Sequence, residues 1–189
     1  MLEIAVELDP DQVMTLEAFA DTIIPGERRW PGDRAVAGAA TGGGAVASGA
    51  LDLLVSVEGG MAGMLDTLAV GLDDQATEYA RRTGLTLDPA VPPFVALSFA
   101  DRTALTSELV APAHPEQELW VALAMFSVMA WDTGAAEHTV DALAAGHPGL
   151  VQIGFTPPDA DGLWRFPNFS YGRVLAKSHP DTTPTGDPA

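Results

Sequence analysis

The chain has 189 residues, no cysteine, and 26 acidic against nine basic side chains, for a formal charge of −17 at pH 7. That length holds one domain with a sizeable core but not two comfortable ones, and a hydrophobic content of 47% excludes an intrinsically disordered chain. The charge argues against sequence-independent nucleic-acid binding and against docking on an anionic membrane, since both need clustered Lys and Arg, while the missing cysteines remove disulfides, thiolate nucleophiles and Cys-rich metal sites.

Asp9 is placed to cap a first helix, with Pro10 at its first position and Gln12 at capping-box spacing. Val13, Leu16, Phe19, Ala20, Ile23 and Ile24 then fall on one helical face, and Pro25-Gly26 ends the run. Residues 27–34 read as a polar loop around Trp30 with a Pro31-Gly32 turn. From Ala35 to Gly49 only small residues and Val occur; Gly42-Gly43-Gly44 disfavours a helix there, at about 1 kcal/mol per Gly relative to Ala. Helices are expected from Ser48 through Val57 and from about Ala62 to Arg82, the second stopping at Gly84. Leu85 to Pro93 reads as an extended link, and Ser98 or Asp101 caps a short helix reaching about Val110.

Glu116 to Thr133 is the second strong helix. Leu119, Trp120, Leu123, Phe126, Val128, Met129 and Trp131 cover most of its circumference, which predicts a central, buried helix. Gly134 ends it, a shorter helix from Glu137 to Ala145 follows, and Leu150 to Phe155 reads as a short extended run. Strand signals are too few for a sheet, so the class is all-α: an irregular bundle of about five or six helices over residues 1–155. Residues 156–189, rich in proline and aromatics, form a long extended C-terminal arm.

Candidate chemistry is sparse. Gly42-Gly43-Gly44-Ala45-Val46-Ala47 mimics a dinucleotide turn, but no buried strand leads into it, so a loop or a tight helix contact is the better reading. Glu137, His138 and Asp141 offer at most half a metal site, with no second half elsewhere. His114 and Glu118 are four apart, yet Pro115 intervenes. Asp132 follows Trp131 at the end of the most apolar helix; Asp132 or His138 is the candidate acid/base group in an alternative reading as a small helical enzyme acting on an apolar substrate. No nucleophile elbow, zinc-protease motif or Walker loop is present, so no residue is assigned as catalytic or as a metal ligand.

The arm carries the strongest interaction signal. Trp164, Phe166, Phe169 and Tyr171 stand within eight residues, interleaved with Arg165 and Arg173. Aromatic and Arg side chains dominate interface energetics, and a Pro-rich extended segment cannot bury them against itself. These six residues are the candidate partner-binding set, whether the surface they need is the acidic body or another protein.

Thr15-Leu16-Glu17-Ala18-Phe19-Ala20-Asp21-Thr22-Ile23-Ile24-Pro25-Gly26 resembles the opening helix of the gluconate 2-dehydrogenase subunit 3 family, and Pro31-Gly32 and Ala35 to Ala40 follow in that family's order. Phe94 to Leu105, with Leu97-Ser98, Arg102 and Leu105, is similar to its later helix. The resemblance covers parts of residues 10–135. It implies a helical accessory subunit that binds no cofactor itself and supports the maturation or stability of a large FAD-dependent oxidoreductase of the glucose–methanol–choline type. Two departures stand out: the chain has neither the twin-arginine signal of many relatives nor the cysteines through which some pair. With no secretion signal and no apolar run of the roughly 18–20 residues that span a bilayer, a cytoplasmic location is expected.

Overall fold

Helix α1 (Pro10–Ile23) is the hub of the computed structural model, which describes residues 6–157. It forms as its sequence dictates. Asp9 Oδ1 accepts from the backbone N–H groups of Asp11 and Gln12 at 2.9 Å, and Gln12 Oε1 accepts from Asp9 N–H at 3.1 Å, which closes the capping box. Its buried face carries Leu16, Phe19 and Ala20, together with Thr15, Ala18 and Asp21.

Around it pack α2 (Ala50–Val55), α3 (Leu65–Thr83), α4 (Pro93–Ala96), α5 (Phe99–Leu109) and α6 (Gln117–Thr133). A 3-10 turn, Ala62–Met64, leads into α3, while α7 (Thr139–Ala144) and α8 (Pro148–Gln152) close the helical body. The class is all-α, with eight α-helices and no strand among the described residues. Leu16, Phe19, Leu54, Leu68, Leu72, Phe94, Leu105, Trp120 and Leu123 interlock in the main core, and burying each such side chain contributes about 1.5–3 kcal/mol. A smaller, mostly alanine cluster of Ala20, Ala45, Ala50, Leu53 and Ala130 lets α1, α2 and α6 approach closely.

Several expected elements change. The one-turn helix α4 replaces the end of the link: Pro93 takes a first-turn position and Asp73 of α3 accepts from Phe94 N–H at 2.9 Å. Residues 148–152 are helical rather than extended, because Pro148 starts the turn and the buried His147 Nδ1 accepts from Leu150 N–H at 3.3 Å. Helix α2 begins later than expected, after Gly49 in the left-handed region (φ 82°), and α7 is shorter at both ends than Glu137–Ala145.

The connection from α1 to α2 has no regular structure, yet two buried charges fix it. Asp21 accepts from Gly26 N–H at 3.1 Å and Ala37 N–H at 2.8 Å, and burial raises its pKa against those two bonds and the nearby Arg102 charge. Arg102 on α5 donates to the carbonyls of Ala35 (2.7 Å), Arg34 (3.0 Å) and Val95 (2.6 Å). Burial lowers the Arg102 pKa to about 10. Asp33 is buried as well; burial pushes its carboxyl up, but bonds from Arg29 at 2.7 Å and Val36 N–H at 3.2 Å outweigh that and hold it low. The triple glycine belongs to this framework, since the backbones of Gly26 and Gly44 touch and leave no room for a Cβ on either.

Candidate interaction site

Helix α6 has two faces of unequal fate. Trp120, Leu123, Ser127 and Ala130 point inward and are buried. On the opposite side Met125, Val128 and Met129 are 55%, 39% and 40% exposed. The expectation of a central, buried helix is therefore corrected: α1, α2 and α8 cover only part of it. At 100° per residue, Glu118, Ala122, Met125 and Met129 form one stripe along the outer face, spanning about 16 Å of helix.

The upper end of that stripe opens into a cleft of about 700 Å³ between the 3-10 turn and the start of α6. Its apolar lining comes from Met61, Met64, Pro112, Pro115, Leu119 and Ala122, and its polar lining from His114, Glu116, Gln117 and Glu118. Met64 is 43% exposed there. Four of the six methionines of the chain thus lie in the cleft or on the stripe. A run of exposed apolar groups of this kind marks interaction surfaces more often than it occurs by chance, and unbranched Met side chains repack easily against different shapes.

The charge around it has one sign. Residues 35–80, which contribute Met61 and Met64, have no Lys or Arg; neither do residues 103–157, which contribute the loop and α6 and contain six acids. The basic residues of the described chain are instead concentrated at Arg28, Arg29, Arg34, Arg81, Arg82 and Arg102. Most of these have structural duties: Arg29 bridges Glu17 (2.6 Å) and Asp33, Arg34 meets Asp88 at 2.9 Å, Arg82 meets Glu108 at 2.6 Å, and Arg102 holds the α1–α2 connection.

The residues weighed for catalysis do not converge. Asp132 lies on the outer side of α6, half-buried, with Oδ1 shielded and without a hydrogen-bond partner among the described residues. His138 is exposed at the start of α7, and no hydrogen bond joins it to Asp132 among the described residues. Glu137, His138 and Asp141 are all exposed, and no group of three metal-ligating side chains is assembled among the described residues. His114 and Glu118, separated in the sequence reading by Pro115, do share the Met-lined cleft; His114 Nδ1 accepts from Glu116 N–H at 3.1 Å. His147, which no motif singled out, is buried, with Nε2 3.3 Å from the Ser48 carbonyl oxygen. It ties α8 to the start of α2. The arm residues Trp164, Arg165, Phe166, Phe169, Tyr171 and Arg173 lie outside the described residues.

Sequence reasoning missed Met61 and Met64 as cleft-lining groups because Met64 sits at helical spacing beside true core residues and Met61 itself packs partly against the core. The available signal was Gly60 and Gly63, which interrupt a continuous amphipathic face there.

Fold and surface together define a small all-α protein whose principal helix turns an apolar face outward beside an acid-lined cleft. The chain belongs to a family of unknown function, DUF5987, whose model matches residues 10–189. No curated protein and no solved structure matches it.

Proposed function

We propose that this protein is a non-catalytic small subunit, a stability or maturation partner, of a cytoplasmic flavin-dependent oxidoreductase. The observation that supports a binding role is the outer face of α6: Met125, Val128 and Met129 sit exposed on the most apolar helix of a strongly acidic chain. Such a face costs solubility and gains nothing for the isolated fold, so a covering surface gives it a purpose. The choice of partner rests on the sequence resemblance alone, in which the segments around Asp21 and Arg102 resemble those of an accessory-subunit family. In this reading FAD belongs to the larger partner, and Trp164, Phe166, Phe169 and Tyr171, flanked by Arg165 and Arg173, supply a second set of contacts.

Co-purification from the native host tests the proposal. The tagged chain should emerge with a yellow, FAD-containing protein at fixed stoichiometry, and truncation before Trp164 should weaken the complex. A monomeric chain with no flavoprotein attached would overturn it.

A further inference from the structure

We infer that the Met-lined cleft and the outer stripe of α6 form one continuous seat for a basic amphipathic helix of a partner protein. The inference deepens the accessory-subunit reading and rests on it for the partner's role, though not for the chemistry of the seat.

Three observations select this occupant. The floor is apolar and deformable: Met61, Met64, Leu119 and Ala122 line the cleft, and Met125 and Met129 continue it along α6. Such a floor suits the Leu, Ile or Phe stripe of an amphipathic helix, whose side chains recur every three to four residues. The stripe from Glu118 to Met129 runs about 16 Å, equivalent to three helical turns of a ligand lying along it. The rim is acidic. Glu116 and Glu118 line the cleft, Asp132 stands at the far end of α6, and neither chain segment that builds the seat contains a Lys or Arg. Lys and Arg on the flanks of the incoming helix meet those carboxylates, whereas a second copy of this chain brings the same negative surface and is repelled.

The experiment uses the full chain with its methionine methyl groups labelled with carbon-13, titrated with a short amphipathic helical peptide of Leu and Lys. The expected result is saturable movement of the Met61, Met64, Met125 and Met129 resonances, with Met14, which lies on α1 away from the cleft lining, unmoved. The same peptide with Glu in place of Lys should not bind, and added salt should weaken the Lys peptide at least tenfold. Met125→Glu should weaken binding by a similar factor while the Met14 resonance and the helical circular dichroism stay unchanged. Equal binding of the Glu peptide, movement of Met14 along with the rest, or self-association through Met125 detected by sedimentation would overturn the inference. Flavoprotein capture by the Met125→Glu chain separates the two readings. Undiminished capture rejects the seat and leaves the accessory role; peptide binding at the four methionines with no flavoprotein in the host rejects the accessory role and leaves the seat.

Discussion

Asp21 and Arg102 are buried near each other, and their charges attract, yet no hydrogen bond joins them. Each instead spends its polar atoms on the same irregular stretch of backbone: Asp21 takes the N–H groups of Gly26 and Ala37, while Arg102 holds the carbonyls of Arg34 and Ala35. An acid from α1 and a base from α5 thus clamp the α1–α2 connection from opposite sides, one satisfying its donors and the other its acceptors. Their role in this chain is therefore architectural.

Removing either side of the clamp leaves buried backbone groups unpaired. Asp21→Ala should cost about 2–4 kcal/mol, since two N–H groups lose their acceptor at roughly 1–3 kcal/mol each. Arg102→Lys should cost a comparable amount, about 2 kcal/mol or more, because one ammonium cannot reach three carbonyls served by a planar fork. Urea unfolding measures both, and amide exchange at Ala37 should accelerate in each variant. A loss below a few tenths of a kcal/mol would show that the connection holds itself without the clamp.

Stability should rise as pH falls from 7 toward the ordinary carboxylate range. Burial raises the carboxyls of Asp21 and Asp73 in the fold, so the native state binds their protons more readily than the unfolded chain. Their contribution is fully present below the unfolded value of 3.8 and is lost as pH rises through the higher folded values. Asp33 has the opposite sign: its folded value is lowered, so its contribution exists above 3.8 and disappears only at still lower pH. Asp73→Asn keeps an acceptor for Phe94 N–H and should flatten the mild-acid rise, which urea midpoints across pH would register. A wild-type midpoint that climbs from mild acid to neutral pH would contradict the assignment.

Close backbone contacts should make three glycines intolerant. A Cβ on Gly26 or Gly44 falls on the other's backbone, and one on Gly149 falls on the Trp131 carbonyl of α6. Gly149→Ala should therefore lift α8 from α6, shifting Trp131 fluorescence and lowering the melting temperature. Gly63→Ala, where a Cβ meets open space, should leave both unchanged.

The two faces of α6 should respond oppositely to truncation. Leu123→Ala, 1% exposed, should cost about 2–5 kcal/mol. Met125→Ser and Met129→Ser, by contrast, should change stability by no more than about 0.5 kcal/mol. Thermal unfolding checks each. Large losses at Met125 and Met129 would mean that the outer face is covered within the folded chain.

Local rules settled much of this molecule before any packing was known. Asp9, Pro10 and Gln12 start α1, Ser98 caps α5, and Gly84 and Gly134 stop α3 and α6, because capping and left-handed turns depend on residues close in sequence. The all-α class follows from the same periodicity. Tertiary structure decided what locality cannot reach. Composition made α6 look central and buried, but a helix is covered only where neighbours exist, and α1, α2 and α8 leave Met125, Val128 and Met129 in solvent. One turn at Phe94 depends on an acid from α3, and the order of the α1–α2 connection depends on Arg102, a residue far along the chain. The Met-lined cleft is likewise a product of two distant segments, each unremarkable in sequence and joined only by packing.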